Sequence, residues 1–265
     1  MDHTRFAFGE NWKSYAALVD EEHVGEAVRR LDALVGADAI RGRSFLDIGC
    51  GSGLHSLAAL RLGAARVEAI DLDEQSVDTS RRLLERFWGE SGYRVRRLSV
   101  FELDPATDGP FDVVYSWGVL HHTGDMHRAI ALAGRMVAPG GLLALGLYGK
   151  TRYCGAWTRI KRWYASADRE QQERAQRIYI RSFGAYLLLR GKRLSRHIEQ
   201  YHRKRGMEFR HDVHDWLGGY PYESIRPGEL HALLERAGFA RVKQIVKRRS
   251  GLFGSGCDEY VYRKR

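Results

Sequence analysis

From Glu21 to Val35, the apolar residues Val24, Ala27, Val28, Leu31, Leu34 and Val35 recur at helical spacing, which predicts an amphipathic helix packed on the protein body. The pattern then shortens. Ser44 to Ile48 predicts a strand ending at Gly49, and His55 to Arg61 a helix. Arg66 to Ile70 predicts a second strand, Glu74 to Trp88 a helix, and Arg94 to Val100 a third strand. Phe111 to Tyr115 follows as a fourth strand and Met126 to Met136 as a helix, with Pro139-Gly140-Gly141 breaking the chain before a fifth strand, Leu142 to Leu147. Strands alternating with helices at this spacing predict an α/β fold, a parallel sheet covered on both faces. Such sheets bind ligands at the carboxyl ends of their strands.

After Leu147 the alternation stops. Residues 148–226 read as a mainly helical insertion, most periodic from Arg169 to Leu189, that ends in the aromatic and glycine-rich run from His211 to Tyr222. Gly228 to Ala237 predicts a helix, and two strands, Ala240 to Arg248 and Cys257 to Tyr262, close the chain as an antiparallel addition to the sheet edge. The expected organisation is an N-terminal helical segment (1–40), a core (41–147), an inserted cap (148–226) and closing elements of the core (227–265).

Charge changes this picture in one place. The chain of 265 residues carries a formal charge of +10, but Lys150 to Arg210 alone holds 17 Lys or Arg against 5 Asp or Glu, a local +12. The rest is near neutral, so the excess belongs to the insertion. It admits a solvated helical surface, attraction of an anionic small molecule or a peripheral membrane contact; nucleic acid ranks behind these, because basic residues are not interleaved with exposed aromatics. Cys50, Cys154 and Cys257 are too dispersed for a metal motif, and a reduced, cytoplasmic setting is expected. The opening residues lack the apolar stretch of a signal peptide, and no apolar run reaches the roughly 20 residues of a spanning helix.

The sharpest local signal is Asp47-Ile48-Gly49-Cys50-Gly51-Ser52-Gly53 between a strand and a helix. Its glycines permit tight turns and close approach of a ligand to backbone. Dinucleotide sites use a related device. Two features favour a different nucleoside: an acidic residue two positions before the first glycine, and Asp71 at the end of the second strand, placed for two ribose hydroxyls. No second glycine cluster suits a pyrophosphate.

The ordered motifs Phe45 to Gly53, Val67 to Asp71, Phe111 to His122 and Val137 to Gly141 resemble the class I S-adenosylmethionine-dependent methyltransferases, in particular the small-molecule branch of ubiquinone O-methyltransferase-like proteins. The resemblance implies a Rossmann-like seven-stranded fold with a mainly helical insertion, S-adenosyl-L-methionine as methyl donor, and no metal. By position, Asp47, Gly49, Cys50, Gly51 and Gly53 would hold the amino acid end of the donor, Asp71 the ribose and Leu72 the adenine. Ser99 and Val100 stand where the family often has an acidic residue near the adenine amine, so that contact is expected from backbone or from Glu102. Trp117 and His121 would line the donor and reaction pocket, and Trp12 would either fold over the donor or anchor the N-terminus.

The acceptor side is read from residue chemistry. Methyl transfer needs in-line alignment and exclusion of water, with a base where the acceptor carries a proton. His121, His211 and His214 are the candidate catalytic groups, and His122, Asp212, Asp215, Trp216, Tyr220 and Tyr222 the candidate acceptor-binding ones. His211 and His214 could instead be polar anchors of the cap, and the aromatic residues its seam with the core. The expected acceptor is a small metabolite, aromatic or anionic, methylated on oxygen or nitrogen; RNA or protein methylation and a non-catalytic donor-binding protein are the alternatives.

Overall fold

The computed structural model describes residues 9–205, 209–247 and 249–265, with the side chains of residues 10, 11, 202–205 and 211 outside the description. Two helices lead in, α1 (Gly9–Ala16) and α2 (Glu21–Val35). The second has the predicted bounds: Asp20 caps it, accepting from the His23 backbone N–H at 3.0 Å, and Val24, Ala27, Leu31 and Leu34 form its buried stripe. A short α3 (Ala37–Ile40) delivers the chain to β1 (Ser44–Ile48). The alternation continues through α4 (Leu54–Arg61), β2 (Arg66–Asp71), α5 (Glu74–Phe87), β3 (Tyr93–Arg97), the single turn α6 (Pro105–Asp108), β4 (Phe111–Trp117), α7 (Met126–Arg135) and β5 (Val137–Tyr148).

One mixed sheet runs in the order β3-β2-β1-β4-β5, then β7 (Cys257–Lys264) and β6 (Phe239–Ile245). The first five strands are parallel, and β7 is antiparallel to both of its neighbours. The closing pair thus extends the sheet as predicted, except that the last strand inserts between β5 and β6. Two apolar layers cover the faces, one built on α2, α4 and α5 and one on α7 and α12 (Pro227–Arg236).

Several boundaries differ from the periodicity by one to a few residues, and two of them have a visible cause. The third strand stops at Arg97 because Ser99 caps a 3₁₀ turn, Val100–Glu102, its hydroxyl accepting from the Phe101 N–H at 3.2 Å while the Glu102 carboxylate accepts from the Ser99 N–H at 3.0 Å. Pro139-Gly140-Gly141 does not precede β5 but lies within it, where the pairing jumps from Phe111↔Val137 to Val113↔Leu142 and leaves an irregularity.

The insertion forms four helices, α8 (Cys154–Ser166), α9 (Arg169–Leu189), α10 (Leu194–Arg205) and α11 (Phe209–Gly218). They share a third apolar cluster that includes Trp157, Tyr164, Tyr201, Phe209, Val213 and Tyr222. Only Gly184 and Leu187 of α9 are buried, so its arginines lie on the outside. No helix among the described residues is long and apolar enough to cross a membrane.

Candidate active site

The carboxyl ends of β1, β2, β3 and β4 open into a cavity of about 960 Å3 that continues beneath the cap. On the sheet side, Gly49 and Cys50 follow β1 and Asp71 ends β2. The Asp71 carboxylate accepts from the Gly51 N–H at 2.9 Å and the Asp73 N–H at 3.0 Å. Each oxygen retains capacity for another donor, so a ribose diol fits here. Burial pushes the Asp71 carboxyl above the usual carboxylate range, which a pair of bound hydroxyls would counter. Beside it Leu72, Leu98, Ser99, Val100 and Phe101 make a mainly apolar wall that can accept a planar base. These residues fit an adenosyl group.

Two glycines in the loop are dictated by geometry. Gly49 has φ +76°, and a Cβ there would lie 2.4 Å from both methyl carbons of Val119. Gly51 has φ +54°, and its Cβ would lie 2.9 Å from the Trp12 indole. Trp12 therefore rests on the glycine loop and also lines the cavity, in the position of a cover. Trp117 also lines the cavity and donates its indole N–H to Glu259 of β7 at 3.0 Å.

Asp47 sits behind the loop rather than on the wall. It is buried, accepts from the Ser56 hydroxyl at 2.6 Å, and is pushed up to about 7 by burial, with the Asp71 charge adding to the rise. The side chain braces the turn from β1 to α4 rather than lining the cavity. Gly53 likewise lies off the cavity wall, at the N-terminal cap of α4.

The histidines separate. His121 is fully buried and lies off the wall; its Nδ1 accepts from the Tyr148 N–H at 3.3 Å and its ring stacks on Tyr148 at 3.8 Å. Among the described residues its Nε2 has no hydrogen-bond partner. Burial, with the His122 and Lys161 charges adding, holds its pKa well below the imidazole range. His121 is thus placed as a packing group, not as a cavity base, because the turn after β4 directs it into the core. His122 is the one on the wall, with its Nδ1 donating to the Pro221 carbonyl at 2.7 Å and Gly219 packed against its ring. Burial brings it down to about 3, with the Lys161 charge adding, so it remains neutral and ties β4 to the cap.

His214 also lies off the wall. Its Nδ1 meets the Tyr164 hydroxyl at 2.6 Å and the Gln176 amide at 3.3 Å, a polar knot joining α8, α9 and α11. Anchoring, rather than proton transfer to an acceptor, is the role this position supports. The His211 side chain lies outside the described residues. Asp212, Asp215, Trp216 and Tyr220 do reach the cavity, with Asp212 accepting from the Tyr201 hydroxyl. Tyr222 is buried behind them and donates to Ser255 at 2.8 Å.

Three features escaped the sequence reading. Tyr179 and Phe183 of α9 face the cavity and pack on Phe253 at 5.8 and 5.3 Å. Phe253 belongs to the glycine-rich β6–β7 connection, which is part of the cap: the Tyr179 hydroxyl donates to its carbonyl at 2.8 Å, and the Trp157 indole N–H donates to the Gly251 carbonyl at 2.8 Å. The Gly-Leu-Phe-Gly-Ser-Gly composition marked a tight loop but not its direction. Lys161 is fully buried, donates to the Trp216 carbonyl, and has its amine 3.7 Å from the Trp216 ring centre. Burial pulls its pKa well below the lysine range, opposed by the Asp215 and Asp212 charges. Nothing in its arginine-rich surroundings distinguished it. No cluster of three or more metal-ligating side chains occurs among the described residues.

Residues 46–145 match the family model described as a methyltransferase domain. A ubiquinone biosynthesis O-methyltransferase of Neisseria meningitidis is 32% identical over 114 residues, covering 43% of this chain and 48% of that protein. A ribosomal protein L11 methyltransferase of Photobacterium profundum is 36% identical over 115 residues, covering 43% of this chain and 36% of that protein. The match with the first spans about half of that relative's length, and both matches are far shorter than the chain. Among solved structures, magnesium protoporphyrin IX methyltransferase from Synechocystis PCC 6803 with bound SAH superimposes with a TM-score of 0.55 at 15% identity, covering 92% of this chain and 83% of that one. The sheet order and the 46–145 match agree: residues 46–145 match a methyltransferase domain, and the chain has the Rossmann-like, seven-stranded fold of the class I methyltransferases.

Proposed function

We propose that this protein transfers a methyl group from S-adenosylmethionine to an oxygen or nitrogen of a small metabolite. The carrying observation is a single cavity that begins at Gly49 and Asp71 and ends against the cap aromatics, so a nucleoside and a second small molecule fit in one enclosure. When bound, S-adenosylmethionine supplies an electrophilic methyl carbon on a positively charged sulfur. Asp71 holds the ribose, Leu72, Leu98 and Val100 flank the base, and Trp12 closes over the glycine loop. Trp117 and the Trp216 face exclude water, which keeps the acceptor as the competent nucleophile. The acceptor's lone pair forms the new bond to carbon as the carbon–sulfur bond breaks, its electron pair remaining on sulfur. The proton released by a hydroxyl or amine passes to water or to a carboxylate of the wall, of which the cap contributes Asp212 and Asp215.

Small-molecule transfer is favoured over polymer methylation by the enclosure of the reaction end beneath four helices. Incubation with methyl-labelled donor and fractionated cell extract, followed by mass identification of the labelled product, tests the reading. Label in a low-mass fraction is expected; label confined to RNA or protein would reject the small-molecule acceptor, and no label anywhere would reject the activity.

A further inference from the structure

The cavity uses only one side of α9: Tyr179 and Phe183 reach its wall, and Gly184 and Leu187 are buried. On the opposite side Arg174, Arg177, Ile178, Arg181, Leu188 and Leu189 fall on one helical stripe, and all are exposed. The apolar members stand well out of the body, with Ile178 56% exposed, Leu188 66% and Leu189 89%. Leu188 and Leu189 end α9. The chain then turns through Arg190, Lys192 and Arg193 into α10, where Arg196 and Ile198 are exposed as well.

Most of these cations are not neutralised within the protein. Arg177 shares Glu173 with Arg169, at 3.9 and 3.2 Å, and Arg190 donates to the Tyr186 hydroxyl at 2.7 Å. Arg174, Arg181, Lys192, Arg193 and Arg196 form no ion pair among the described residues. From Arg190 to Arg205 the sequence holds seven Lys or Arg and one acid, the exposed Glu199. Two adjacent leucines this far out gain by leaving water, and the cations around them gain by meeting negative charge. A symmetric contact between two copies would set cations against cations at both ends of the stripe. RNA would satisfy the cations but leave Leu188 and Leu189 in water, since the stripe offers no ring on which a base could stack. An anionic bilayer satisfies both, with leucines at the boundary of headgroups and acyl chains and cations among the lipid phosphates.

We propose that the outer stripe of α9 and the α9–α10 turn form a docking surface for an anionic phospholipid bilayer. Leu188 and Leu189 enter below the headgroups, and Arg181, Lys192, Arg193 and Arg196 meet the phosphates. The contact is peripheral, because no helix among the described residues is long and apolar enough to cross a membrane. It gives the basic excess of the insertion a role that does not rest on the methyl-transfer reading. Bilayer and cavity engage opposite sides of α9, so docking and ligand binding do not compete for one surface.

The test is cosedimentation of the intact protein with vesicles of phosphatidylcholine alone, or of phosphatidylcholine mixed with phosphatidylglycerol. Partition onto the mixed vesicles is expected to be about tenfold or more stronger, and to weaken as salt is raised. Leu188→Ser with Leu189→Ser keeps the charge and should lower that partition about tenfold. Arg181→Glu with Lys192→Glu and Arg193→Glu should abolish the preference for anionic lipid. All five positions are exposed, so both variants should keep the melting temperature of the unmodified protein. Equal partition onto the two kinds of vesicle, or none onto either, overturns the proposal. So does undiminished binding by the leucine variant. A mixed-sequence oligoribonucleotide and sedimentation equilibrium of the protein alone complete the set: RNA binding without vesicle binding, or a dimer that the leucine substitutions dissolve without vesicle binding, overturns it in favour of those partners. If either variant fails to fold, the lipid preference of the unmodified protein and its salt dependence decide.

Discussion

The donor end and the cap end of the cavity are built by different means. At the donor end, backbone carries the design: a loop with Gly49 and Gly51 at positive φ, the N–H groups of Gly51 and Asp73 gripping Asp71, and a 3₁₀ turn fixed by Ser99 and Glu102. At the cap end side chains do the same work, with rings from α9, α11 and the β6–β7 connection meeting across 74 residues at the Tyr179–Phe253 hydrogen bond. A backbone-built site leaves a compact signature in sequence, because its glycines and acids must fall at fixed spacings. A site assembled from distant rings leaves little, since any of several aromatic residues could supply the contact.

The largest effect that would break this contrast is at Asp71. Asp71→Ala removes two charge-assisted contacts to a ribose and should weaken donor binding on the order of 1,000-fold, measured by calorimetry with S-adenosylhomocysteine. A loss of less than about tenfold would mean that the donor end does not depend on Asp71. Trp216→Ala is the converse. It opens a hole between Lys161 and the wall, and about 3 kcal/mol of stability should be lost by denaturant titration, with donor affinity in the folded protein changed less than about threefold.

The joint between the halves should respond to pH. His122 has its pKa brought down to about 3 by burial, and His55, at the donor end of the cavity, to about 4, also by burial. Below pH about 6.5 the unfolded chain takes up protons that the folded one refuses, so stability is full above that value and falls as pH drops toward the folded pKa. Asp47 acts in the opposite sense: raised to about 7, it binds its proton more readily when folded, so its cost appears as pH rises from about 4 toward 7. His122→Gln should therefore flatten the acid limb by up to about 2 kcal/mol at pH 5, whereas Asp47→Asn should steepen it. Melting curves from pH 5 to 8 read both. An unchanged acid limb in His122→Gln would remove that histidine from the joint.

The smallest effect separates backbone from cover. Gly51→Ala forces a side chain into φ +54° and against Trp12, and should cost about 1–2 kcal/mol of stability. Adding Trp12→Ala should recover the steric part but not the backbone part, which a double-mutant cycle resolves. Full recovery would show that strain at Gly51 is negligible.

Much of the core was readable before any coordinates. The bounds of α2 and α9 follow from their periodicity and caps, and the ends of β1 and β2 from the acidic and glycine residues at their carboxyl edges, whereas β4 runs past the expected Tyr115 to Trp117. What the sequence left illegible lies where one residue decides direction. His121 and His122 are adjacent and chemically identical, and only the turn after β4 sends the first into the core and the second to the wall. His214 was indistinguishable from a base until Tyr164 and Gln176 were seen to surround it. Lys161 was one cation among seventeen between Lys150 and Arg210, and its burial depends on α11 closing over α8, a contact between segments 55 residues apart. The positive charge of the insertion admitted a solvated surface, an anionic small molecule or a membrane contact, and charge counted along a chain does not record which helix face holds it; the α9 arginines are exposed.

The most direct test of the account is a calorimetric titration of the intact protein with S-adenosylhomocysteine. One saturable site per chain is predicted, lost in Asp71→Ala under conditions where that variant remains folded. Absence of saturable binding by the unmodified protein would contradict the assignment of the cavity to a methyl donor.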